Sequence, residues 1–62
     1  MQDTDENRVE IAQELHTVAN LHDDQGNAEY ARALRHRVVE CIQGEGDIED
    51  YARILGKAEE AL

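Results

Sequence analysis

The sequence predicts an all-α fold of three short antiparallel helices, a helical hairpin plus a third packing helix. Three observations lead there. The 62-residue chain holds no proline, and alanine, leucine, glutamate and arginine, all helix-favouring, are plentiful. Gly26, Gly44 and Gly46 fall where the apolar pattern breaks. Between the breaks, apolar residues recur every three or four positions, the period of a helix.

The first helix is expected over about residues 5–25. Asp3 or Thr4 can cap its start, and Asp3 with Glu6 has capping-box spacing. Asp5, Glu6 and Glu10 place negative charge near the positive helix end. Ile11, Leu15 and Val18 share a face, flanked by Ala12 and Ala19, which allow close packing.

Gly26 stands where a helix-ending glycine belongs, and Asn27 can cap the next helix. The triplet Gln25–Gly26–Asn27 therefore reads as stop, turn and restart. A phosphate-cradling loop needs a glycine-rich run after a strand, and neither is present. The second helix is expected over residues 28–43. Its buried stripe is Ala31, Leu34, Val38 and Cys41 or Ile42, with Tyr30 at the rim.

Gly44 to Asp47 forms the second break, and Asp47 can cap a third helix over residues 48–62. Ile48, Tyr51, Leu55, Ala58 and Leu62 make one clean stripe. Gly56 lies off it, at a cost of about 1 kcal/mol relative to alanine. The whole chain, residues 1–62, is expected to be a single domain of marginal stability. Dimerisation or a partner would supply further burial.

The segment LHTVANLHDDQGNAEYARALRHRVVE resembles a tetratricopeptide-type helical repeat, with the likeness covering about residues 12–45. Leu15, Val18, Ala19, Gly26, Ala31 and Val38 fall at matching spacings. The resemblance implies an antiparallel helix pair that binds other proteins. Aromatic positions of the pattern fall on His22, Ala28 and Arg35, and its closing proline falls near Gln43. No second repeat follows at the family period of about 34 residues.

Fifteen acidic residues against six basic ones give a net charge of -9. Such charge repels nucleic acid and anionic membranes, so neither is an expected partner. No apolar run reaches the roughly 20 residues that span a bilayer. The opening MQDTDENRVE is unlike a basic-then-apolar signal peptide. The single cysteine cannot form an internal disulfide, which fits a reducing compartment, and a cytoplasmic location is expected.

Catalytic and metal chemistry find little purchase. His16 and His22 are six residues apart and face different ways on a helix. No HExxH motif is present. His22, Asp23 and Asp24 read as a solvated helix end. Cys41 reads as an unreactive core or core-edge thiol. The carboxylates read as solvated, with little material for a pocket that would raise the pKa of one of them. No enzyme activity, no cofactor and no metal are expected.

Charge placement is more informative. Arg32, Arg35 and Arg37, with His36 among them, form a basic strip on an acidic body. Internal pairing accounts for such a strip, Arg35 with acids of a neighbouring helix and Arg32 with its own Glu29 or its alanine-face surroundings. A docking role is the other reading. Leu21 and Val39 lie off the main stripes, in a broad core or an exposed seam. Leu21, Arg32, Arg35 and Val39 are thus the candidate partner-binding residues. The expected function is a non-enzymatic protein–protein interaction or regulatory module that binds a protein partner or itself, as in a homodimer. A structural homo-oligomer and an acidic inhibitor mimicking nucleic acid are the alternatives.

Overall fold

A computed structural model describes all of residues 1–62. The order is α1 (Asp5–Asp24), α2 (Ala28–Ile42) and α3 (Ile48–Glu60), with no strand. The all-α architecture and the two breaks stand as the periodicity predicts. Each helix ends one or two residues earlier than expected, because Gln25, Gln43 and Ala61 serve as C-caps.

Local chemistry explains each boundary. Thr4 accepts a hydrogen bond from the Asn7 backbone N–H at 3.1 Å and caps α1. This displaces the expected Asp3–Glu6 box, since Asp3 is taken by Arg8. Asp47 caps α3 by accepting from the Glu49 N–H at 3.1 Å. Asn27 sits at the N-cap of α2, but its side chain makes no cap bond and turns instead to His22.

Both inter-helix turns close with the same pair of backbone bonds. After α1, Asn27 N–H donates to His22 O and Gly26 N–H to Asp23 O; after α2, Glu45 N–H donates to Glu40 O and Gly44 N–H to Cys41 O. These bonds satisfy carbonyls that a helix end leaves orphaned, and they need a left-handed residue after the cap. Gly26 supplies it at φ 87°. Gly26 is thus the corner of the hairpin.

The helices run up, down and up. Arg8 near the start of α1 meets the turn before α3, and His22 near its end meets Ala58 near the end of α3. α1 packs against both neighbours, whereas α2 and α3 barely touch each other. The molecule measures 33 × 19 × 15 Å, the long axis being close to the ~30 Å of a twenty-residue helix. Ile11, Leu15 and Val18 of α1 meet Leu34 of α2 and Ile48, Tyr51 and Leu55 of α3 in one core. Buried Ala12, Ala19, Ala31 and Ala58 add little volume and permit close helix approach.

Two polar side chains lie inside this small core, and both bind helix ends. Arg8 is 5 % exposed. Its Nη1 donates to the carbonyls of Cys41 (3.2 Å) and Glu45 (3.0 Å), and its Nη2 to that of Gly46 (2.7 Å). Asp3 pairs with the same guanidinium through both carboxylate oxygens, at 2.5 and 2.9 Å. Tyr51 completes the cluster. Its ring lies 5.8 Å from the guanidinium carbon, and its hydroxyl donates to Glu45 O at 2.5 Å. Gly46 has φ 70°, and a Cβ there would stand 2.8 Å from the Tyr51 hydroxyl.

The second buried polar group is His22, 1 % exposed, which corrects the expectation of a solvated helix end. Its Nε2 lies 2.9 Å from Ala58 O, one of the carbonyls that α3 leaves without an intrahelical partner. Asn27 Nδ2 lies 3.3 Å from Nδ1, and the Tyr30 ring meets the imidazole edge-on. A neutral imidazole protonated on Nε2 satisfies both polar contacts, donating to Ala58 and accepting from Asn27. Every buried side-chain nitrogen and oxygen has a partner.

Two further expectations need correction. The stripe of the third helix predicts a buried Leu62, but α3 stops at Glu60 and Leu62 is 46 % exposed. Of the two alternatives at the end of the α2 stripe, Cys41 is buried and Ile42 is 60 % exposed.

Candidate functional site

Three of the four candidate binding residues lie on α2, and Leu21 lies on α1. Arg32, Arg35 and Val39 are spaced three and four residues apart along one flank of α2. Ile42, three residues further on, continues that flank. Leu21 lies elsewhere, with Leu62 beside the groove between α1 and α3. The structure therefore gathers three of the four and separates Leu21 from them.

The flank is apolar at one end and basic at the other. Val39 is 53 % exposed and Ile42 more so, although both are large aliphatic side chains on a surface otherwise rich in charge. Val38 is partly buried, and with Ile42 it lines a shallow groove against Ala12 and His16 of α1. The apolar strip thus extends from the helix across the seam of the hairpin.

The arginines divide by their partners. Arg35 Nη2 reaches across to α1, donating to Asn20 Oδ1 at 2.8 Å and Asp23 Oδ2 at 3.2 Å. Arg37 pairs with Glu40 at 2.9 Å, and His36 approaches the same carboxylate at 3.8 Å. Both arginine pairs are partly exposed, so each contributes well under about 1 kcal/mol. Arg32 forms no ion pair and no side-chain hydrogen bond within the chain. Of the basic strip, it alone retains a free guanidinium.

Cys41 is the other reactive residue type near this flank, but it faces inward. Its Sγ–H donates to Arg8 O at 3.4 Å, and burial pushes the thiol pKa up despite the guanidinium nearby. No group of three histidine, cysteine or acidic side chains is placed to hold a metal ion. No helix is long and apolar enough to cross a membrane.

Ile42 is the residue that the apolar pattern leaves open. A signal for it does exist. Ala31, Leu34, Val38 and Cys41 already form an unbroken stripe at spacings of three, four and three, which leaves Ile42 outside. The free state of Arg32 corrects the expected pairing with Glu29, which stands three residues away on the helix but forms no ion pair or hydrogen bond with it.

Over residues 1–62 the chain matches the model of a family described as a domain of unknown function (DUF7273), and it belongs to that family. No curated protein and no solved structure matches it.

Proposed function

We propose that this chain is a protein–protein interaction module that docks a different protein on the outer flank of α2. One observation carries the reading. Val39 and Ile42 stand more than half exposed on adjoining turns, although the core closes without them and every buried polar group is satisfied. Burying such side chains on association removes apolar surface from water at about 25 cal/mol per Å². Arg32, two turns before Val39 and free of any acid, orients the partner by charge. The matching surface is an apolar ridge with a carboxylate at one end. A tetratricopeptide-like role, in which a helical hairpin presents a binding face, is the same reading at a coarser level.

A second reading is self-association through the same strip. The small core favours it, with 14 of 62 residues buried. The net charge of -9 on each copy opposes it. Light scattering over a wide concentration range separates the two. A monomer of 7.0 kDa throughout supports a different partner. A dimer that Val39→Asp with Ile42→Asp returns to monomer would assign the strip to a second copy. Both side chains lie outside the core, so the variant still folds, with a somewhat lower melting temperature because the new carboxylates sit in the last turn of α2 on an already acidic chain.

A further inference from the structure

A second surface lies between α1 and α3. Val18 forms its floor, and Leu21 and Leu62, both nearly half exposed, stand on either side. Glu10, Glu14 and Glu59 line the same groove. None of these three carboxylates is in an ion pair or accepts a side-chain hydrogen bond, a state they share with Asp5, Glu6, Asp24, Glu29, Glu45 and Glu60; their place around an apolar floor sets them apart. Glu10 and Glu14 are also like charges four residues apart on one helix, an arrangement that costs a few tenths of a kcal/mol.

We propose that this groove binds a basic amphipathic helix of another protein. Its apolar face rests on Val18, Leu21 and Leu62, and its lysines or arginines meet Glu10, Glu14 and Glu59. The chemistry commits to that occupant. An apolar floor with an uncompensated acidic rim is complementary to a helix carrying leucines on one face and cations on either side. A second copy of this acidic chain brings the wrong sign. The run from Glu10 to Leu21 rises about 16 Å, which accommodates about three helical turns. The groove adjoins the seam beside the α2 strip, with Gln13 and Thr17 lining both, but Val39 and Ile42 are not among its lining residues, so different substitutions test the two.

The test uses the full chain and a synthetic amphipathic leucine–lysine helix of about eleven residues. A leucine–glutamate peptide of the same pattern is the control. Backbone amide shifts and titration calorimetry read the outcome. The lysine peptide shifts amides around Val18, Leu21 and Glu59 to Leu62, and the glutamate peptide shifts none. Leu21→Asp weakens binding by about ten-fold or more, and Glu10→Gln with Glu14→Gln weakens it several-fold. Val39→Asp with Ile42→Asp leaves it intact. Shifts spread over the whole acidic surface, or equal binding by Leu21→Asp, would reduce the effect to diffuse attraction and overturn the proposal. Shifts centred on Val39 and Ile42 would overturn it as well, while upholding the α2 strip.

Discussion

Arg8 Nη2 donates to the carbonyl of Gly46 at 2.7 Å, across 38 positions of sequence. One side chain in the first helix therefore holds the turn that launches the third. The same guanidinium binds the Cys41 and Glu45 carbonyls and is itself held by Asp3. Neutral replacement leaves the Gly46 carbonyl without its donor and reduces those of Cys41 and Glu45 to the Gly44 N–H and the Tyr51 hydroxyl. Arg8→Ala is expected to lower the urea midpoint more than any other single charge deletion, and Arg8→Lys to recover only part of the loss. A lysine is a point charge and cannot span the fork. An Arg8→Ala protein that unfolds at the parental midpoint would refute this role.

The Arg8 guanidinium also holds the Asp3 carboxyl below its ordinary pKa, chiefly through their hydrogen bonds. A carboxyl with a lower pKa in the folded state stabilises the fold above its unfolded pKa, near 4. That contribution is lost as pH falls through the folded value. The difference in urea midpoint between the parent and Asp3→Asn is therefore expected to be constant at neutral pH and to shrink below about pH 4. A difference that stays constant to pH 2 would show that the pair does not act through ionisation.

His22 is expected to be worth more than its polar character suggests. Replacing it by alanine opens a cavity beside the Tyr30 ring and removes the partner of the Ala58 carbonyl. The expected loss is about 2–4 kcal/mol. Tyr30→Ala, at the exposed rim, costs less. Equal losses in chemical denaturation would contradict the placement of His22 at the end of α3.

Two glycines are expected to respond with opposite signs. Gly56 lies inside α3, and a Cβ there meets nothing within 4 Å. Gly56→Ala stabilises by about 0.5–1 kcal/mol through helix propensity. Gly26→Ala destabilises by about 1–2 kcal/mol, because alanine resists the left-handed backbone at φ 87°. Thermal melts of the two variants check both signs together.

Salt is expected to raise the melting temperature. The chain carries far more acids than its bases neutralise, and screening relieves that self-repulsion. The exposed ion pairs weaken at the same time, but they are few and individually small. A melting temperature that falls with added sodium chloride would mean that the pairs dominate.

Periodicity explains why the helices and most of the core are legible in the sequence. Ile11, Leu15 and Val18, or Ile48, Tyr51 and Leu55, announce a face by spacing alone. Gly26 announces a corner because left-handed backbone selects glycine. Arg8 and His22 carry no such mark. Their burial depends on carbonyls delivered by distant helix ends, at Gly46 and Ala58, and no local pattern records that meeting. Leu62 shows the opposite failure, a stripe extrapolated past the point where the helix ends. At the candidate surface, Val39 is identifiable as lying off the stripe. Its placement relative to Leu21 is not, since that depends on how α2 packs against α1.

The most direct test of the binding strip is photo-crosslinking in cells that produce the protein. A photoreactive side chain at Val39 or Ile42 is compared with one at Asp5 or Glu60, which are also exposed but lie on other helices. Docking on the α2 flank predicts a discrete crosslinked product, containing a different protein, at the two apolar positions and at neither control. Equal labelling at all four positions, or none at Val39 and Ile42, would contradict it.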